Sequence, residues 1–176
     1  MDFKWGYYLK HPVYQLKMHT RFERLAPGDE KEQEKWRENR KKSYEGSLKH
    51  FLKALATGRL DNHFTFKEYP SDIFNEGNSQ MLTHIKADEA KMLGPKEFKV
   101  VPFEDPGLKK FYLDGVLEIN YFSGTSVKKS YLSVQGPYAL IDTLGGTYDV
   151  SVLNISGDWA NARIAGMLPA DYRPTE

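Results

Sequence analysis

The stretch from Asp29 to Gly58 constrains this chain most, because one pattern runs through it from a start signal to a stop signal. Asp29 offers a side-chain acceptor to first-turn N–H groups, and Glu32, three residues on, completes a capping-box pattern. Trp36, Tyr44, Leu48, Phe51 and Leu55 then recur at helical spacing, with Glu, Lys and Arg filling the other side. Gly58 is the stop. The spacing predicts one amphipathic helix over Asp29–Thr57. It is longer than most globular helices, and Gly46 is where it would break if it breaks.

Such a stripe needs a surface to bury it, and the flanking sequence reads as strands. Tyr14, Leu16, Met18, Thr20 and Phe22 alternate with polar residues, and Tyr7–Leu9 precedes them. Phe64–Tyr69, Met81–Ile85 and Phe98–Phe103 are extended candidates. Lys86–Leu93 reads as a short helix ended by Gly94-Pro95. In the last third, Leu113, Leu117, Ile119 and Tyr121 share one parity. Tyr131–Val134, Tyr138–Leu144 and Tyr148–Ile155 follow, the last two joined by Gly145-Gly146 as a two-residue hairpin. A short helix from Asp158, stopped by Pro169, closes the pattern. The order predicts an α+β fold: a mainly antiparallel sheet of about five to seven strands. One long amphipathic helix packs on it, with a short C-terminal helix. Residues 1–176 are expected to form a single domain.

Composition narrows the function classes. Twenty-five basic and 24 acidic side chains leave a formal charge of +1, so no long-range field gathers nucleic acid or an acidic membrane. Cysteine is absent, which removes disulfides and thiol chemistry. No apolar run approaches the ~20 residues that span a bilayer. The segment Met1–Gly6 has no signal-peptide core; read literally this places the chain in the cytoplasm, and for an excised fragment it says nothing.

Each candidate for chemistry has a plainer reading. His11, His19, His50, His63 and His84 form no i, i+4 pair, so no local metal signature exists and neither metal nor cofactor is expected. The basic run Lys35–Lys42 contains Trp36, but glutamates are interleaved with it, as on a solvated helix face. Glu45, Ser47 and His50 lie close together. Ser47 sits inside a helical pattern rather than on a nucleophile elbow, and its hydroxyl is expected to bond a carbonyl one turn back. Asp114 and Glu118 share a strand face without a further carboxylate. Arg40 projects, at 100° per residue, onto the apolar stripe with Ser47 and Phe51. A charge there needs a carboxylate partner.

Two runs carry a resemblance. The first is Trp36-x-x-Asn39-Arg40-x-x-Ser43-Tyr44-x-Gly46-Ser47-x-x-His50-Phe51-Leu52-x-Ala54-Leu55. The second is Gly157-x-Trp159-Ala160-x-x-Arg163-Ile164-Ala165-x-x-Leu168-Pro169-x-Asp171-Tyr172-x-Pro174. Their order and separation resemble the C-terminal region of bacterial carboxypeptidase-like regulatory-domain proteins, an uncharacterised envelope family. Those proteins carry a signal peptide and a transthyretin-like β-sandwich before such a region, so this chain looks like a domain excised from a longer one. The family name refers to the sandwich, and no peptidase residues are implied. What the resemblance implies is a non-catalytic accessory or interaction domain, periplasmic or outer-membrane-associated, with other envelope proteins or glycans as partners. The alternatives are a hydrolase whose site spacing does not reveal, with Glu45, Ser47 and His50 as first suspects, and a small-ligand-binding module.

The residues expected to form a binding surface are Trp36, Arg40, Tyr44, Ser47, His50, Arg163, Asp171 and Tyr172. The C-terminal segment is expected to pack on the long helix between Trp36 and Ser47. Arg40 would then meet Asp171 or Asp158, and Tyr172 would cover an aromatic of the stripe.

Overall fold

A computed structural model describes residues 2–8, 11–17, 22–23, 26–70, 90–162, 167–169 and 171–174. Strands β1 (Asp2–Tyr8) and β2 (His11–Lys17) form an antiparallel hairpin. Helix α1 (Glu30–Tyr44) and helix α2 (Leu48–Thr57) follow. Next come β3 (Phe64–Tyr69), β4 (Lys91–Leu93), β5 (Lys99–Pro102), β6 (Leu108–Tyr112), β7 (Val116–Ser123), β8 (Ser126–Val134) and β9 (Ala139–Asp142). A 3-10 turn at Val150–Val152 leads into β10 (Leu153–Gly157) and α3 (Asp158–Ala162). One sheet has the order β10-β8-β7-β3-β4 and a second the order β5-β6-β9; every pairing among the described strands is antiparallel. The α+β class with antiparallel sheets is therefore observed.

The single long helix is not. It breaks at Glu45-Gly46-Ser47, because two helix-ending signals meet there. Gly46 takes a left-handed φ of 69°, and Ser47 caps the next helix by accepting the His50 N–H at 3.1 Å. The outer signals behave as the pattern requires. Asp29 accepts the Glu32 N–H at 2.7 Å, and Gly58 ends α2 at φ 67°.

The core lies where α2 meets both larger sheets. Phe51 is fully buried, with ring centroids of Trp159, Phe66, Phe64, Phe98 and Phe111 between 5.6 and 6.5 Å away. Leu117, Ile119 and Tyr121 of β7 face the same cluster, as their shared parity requires.

Other local expectations give way to tertiary pairing. Lys91–Leu93, read as the end of a helix, is a strand paired with Phe66–Glu68, which puts Leu93 against the core. The remainder of that expected helix and the Met81–Ile85 strand lie outside the described residues. Leu113 to Gly115 form a turn, so β7 starts at Val116 and Asp114 is outside it. Leu108–Tyr112 is a strand instead. Gly145-Gly146 is not a two-residue hairpin: Asp142 accepts from the Leu144 and Gly146 N–H groups at 2.7 and 2.9 Å, which holds a wider turn.

Candidate functional site

The two sequence motifs meet at the α1–α2 corner. Gly46 turns its N–H onto His50 Nδ1 at 3.2 Å, and its carbonyl accepts from Trp159 Nε1 at 2.7 Å. A β-carbon at position 46 would lie 2.6 Å from the Tyr121 ring, so both the backbone angle and the space demand glycine. Trp159 is held from its other end by its own N–H, donated to the Ser130 hydroxyl at 3.1 Å. Lys128 closes the C-terminus of α1 by donating to the carbonyls of Lys42 and Glu45.

The C-terminal segment docks on this corner. Tyr172 packs on Tyr44 with centroids 5.8 Å apart, and Lys49 Nζ donates to the Pro169 carbonyl. The expected aromatic cover is present, whereas the expected ion pair is absent. Arg40 is exposed and makes no ion pair among the described residues. Its projection onto the stripe assumed one unbroken helix, and the turn at Gly46 changes the direction of α1 relative to Phe51. Asp171 is also exposed, and it acts electrostatically on Lys49. Asp158 accepts the Lys129 N–H at 2.7 Å.

Of the expected binding residues, Tyr44, Ser47, His50 and Tyr172 come together. Trp36 is half-buried further along α1, and Arg40 and Asp171 are exposed. Arg163 lies outside the described residues.

The electrostatics of the corner follow from burial. The His50 ring packs against Tyr44, Phe64 and Tyr121 at 4.7, 5.0 and 5.5 Å, and burial lowers its pKa. With Nδ1 accepting from Gly46, the ring is a neutral acceptor there. Tyr121 is pushed up to about 12, first by burial and then by Glu45 and Asp61. Burial also lowers Lys49, against the pull of Asp142 and Asp171. Ser47 Oγ accepts the His50 N–H, whereas the sequence pattern predicts its hydroxyl donating to a carbonyl one turn back, and His50 Nδ1 accepts the Gly46 N–H. Ser47 and His50 each make one hydrogen bond that builds the turn.

A second polar centre occupies the opposite face of the five-stranded sheet, and sequence spacing missed it. Glu118 is buried between the side chains that β3 and β8 place beside it. It accepts from Tyr69 Oη at 3.1 Å and Asn120 Nδ2 at 2.9 Å, and pairs with Lys129 Nζ at 3.5 Å. Burial alone would raise its pKa, but the Asn120 and Tyr69 donors with Lys129 and Lys67 hold it below the usual carboxylate value. Tyr69 is pushed up to about 12 by burial and then by Glu118. So saturated a carboxylate is a structural anion rather than a general base. A charged residue inside an apolar strand was the available signal; its partners depend on register. Among the described residues no group of His, Asp or Glu is arranged to hold a metal ion, and no helix is long and apolar enough to cross a membrane.

No protein-family model, no curated protein and no solved structure matches this chain.

Proposed function

We propose that this chain is a non-catalytic accessory or interaction domain of a bacterial cell-envelope protein, periplasmic or outer-membrane-associated, which in the longer chain follows a transthyretin-like β-sandwich. The resemblance of the two motifs to that family motivates the reading. One structural observation supports it: the residues most suited to hydrolysis are committed to building a corner. Ser47 caps α2, His50 holds the Gly46 N–H, and the Trp159 of the second motif holds the Gly46 carbonyl. On this reading the two motifs recur together because each completes the other's hydrogen bonds. The partners are other envelope proteins or glycans.

The test pairs a glycan array and an envelope-fraction pull-down with a panel of ester, amide and glycoside substrates. Binding without turnover is the expected result. Turnover that disappears in Ser47→Ala or His50→Asn, with the fold intact by circular dichroism, would overturn the reading in favour of a hydrolase.

A further inference from the structure

The edges of the two larger sheets differ in how they are protected. Unpaired strand edges invite other strands, and proteins blunt them with lysine, proline, bulges or cover. β4 is three residues long, carries Lys91 and runs into Gly94-Pro95. β5 carries Lys99 and Pro102. The outer edge of β9 is met by the returning chain, through the Ile141–Thr147 bridge and the Tyr148 N–H to Leu140 O bond at 3.0 Å. β10, Leu153-Asn154-Ile155-Ser156-Gly157, has no charge and no proline, and among the described residues nothing pairs with its outer edge.

The free groups on that edge can be assigned. Gln135 N–H donates to Val152 O at 2.7 Å, and Leu153 lies opposite Val134. The antiparallel alternation then turns the backbone groups of Asn154 and Ser156 toward β8, and those of Leu153, Ile155 and Gly157 outward. The Leu153 N–H is already taken by Val150 O. The Gly157 carbonyl, just ahead of α3, accepts that helix's first bond, so what remains is the Leu153 carbonyl, both groups of Ile155 and the Gly157 N–H. This set is symmetric about Ile155. The window is closed at both ends, by the 3-10 turn before it and by Gly157, at φ 74°, leading into α3 after it.

We infer that β10 pairs with β10 of a second copy of this chain, antiparallel about a two-fold axis at Ile155, joining the two five-stranded sheets into one. The proposal stands independently of the accessory-domain reading. Two-fold pairing satisfies every free group: Ile155 exchanges both its bonds with its counterpart, and each Leu153 carbonyl accepts from the other copy's Gly157 N–H. The side chains match as well. Ile155, directly across from Leu132 and still 38% exposed, meets its own copy on one face, while Asn154 meets Ser156 of the other copy on the opposite face. A longer or charged partner strand finds no further free groups and no counter-charge on this strand.

The chain contains no cysteine, so a single introduced thiol reports the geometry. Antiparallel hydrogen-bonded pairs place Cα atoms about 5.5 Å apart, within disulfide reach. Light scattering on the full 176-residue chain is expected to give twice the 20.3 kDa monomer mass at high concentration, falling on dilution. Ile155→Cys is expected to cross-link to completion under mild oxidation, whereas Val127→Cys, on β8 and more exposed than Ile155, is not. Ile155→Pro removes an outward N–H that β8 does not use, and Ile155→Lys adds charge without touching the backbone; both are expected to be monomeric with unchanged circular dichroism. If the proline variant misfolds, the lysine variant decides. A wild-type chain that stays monomeric and cross-links at position 155 no better than at 127 overturns the proposal. So does a dimer that survives the lysine substitution, and so does a monomer that instead captures an extended peptide at this edge.

Discussion

Helices α1 and α2 sit end to end and share one sequence pattern, yet they are different kinds of structure. The ten residues of α2 bury Phe51, Leu52, Ala54, Leu55 and Ala56, whereas the fifteen of α1 bury Tyr44 alone. α1 is held by its ends: Asp29 and Glu32 at the start, Lys128 and the Gly46 corner at the finish. Between them it is sustained by local pairs such as Glu34–Arg37, at 2.6 Å. Length and anchorage are therefore separate properties. A shorter helix with a buried face carries the fold, and a longer one with capped ends rides on it.

The largest test of that contrast is truncation of one large aromatic residue on each helix. Phe51→Ala empties a site walled by five aromatic rings and is expected to cost ~3–5 kcal/mol in urea unfolding. Trp36→Ala, on the half-buried flank of α1, is expected to cost less than about 1 kcal/mol. Comparable costs would mean that α1 is packed into the core.

Next in size is the corner that separates the helices. Gly46→Ala forces a left-handed backbone on alanine and drives its β-carbon into Tyr121; the backbone strain alone is about 1–3 kcal/mol. The expected signature is loss of stability together with release of the Trp159 indole N–H, visible as its NMR resonance moving toward the solvent-exposed position. A neutral Gly46→Ala would show that the corner is not built as described.

The two N-caps then separate the helices by probe. Ser47→Ala is expected to lower global stability by ~1 kcal/mol, because α2 unfolds with the core. Asp29→Ala removes the same kind of bond, but it is expected to speed amide exchange in the first turn of α1 while leaving the urea midpoint unchanged. Equal shifts in the midpoint would join the two helices into one cooperative unit.

What could be read in advance was local. Asp29, Gly46, Gly58 and the alternation of Leu117, Ile119 and Tyr121 act through their own neighbours, so spacing located them. The Arg40 assignment failed because a helical projection loses its phase at a left-handed glycine. Lys91–Leu93 failed because pairing with β3 outweighs the propensity of three residues. The bond between Trp159 and Gly46 spans 113 positions, and the nest around Glu118 assembles Tyr69, Asn120 and Lys129 across three strands. Both motifs were visible as unusual residues, but what each was unusual for lay in the other.

The smallest expected effect concerns pH at the same corner. His50 is half-buried and its Nδ1 accepts an N–H; desolvation lowers its pKa below the 6.5 of an ordinary histidine. Between the folded and unfolded values the unfolded chain binds more protons, and stability rises with pH there. The contribution is fully present above about 6.5. It is lost as pH falls through the folded value. Every charged group facing the ring enters the balance: Asp61 and Glu45 favour the proton, Lys53 and His63 oppose it. Glu118 acts in the same direction, because its own pKa is lowered, but only from the carboxylate value of 4.5 downward, whereas the His50 window opens at about 6.5. His50→Asn keeps an acceptor near the position of Nδ1 and removes the titration. Its urea stability is expected to be flatter than wild type as pH falls from about 7. Wild-type and variant curves that stay parallel across the upper window would show that His50 does not couple the corner to pH, and that the α1–α2 junction owes its hold to Gly46 and Trp159 instead.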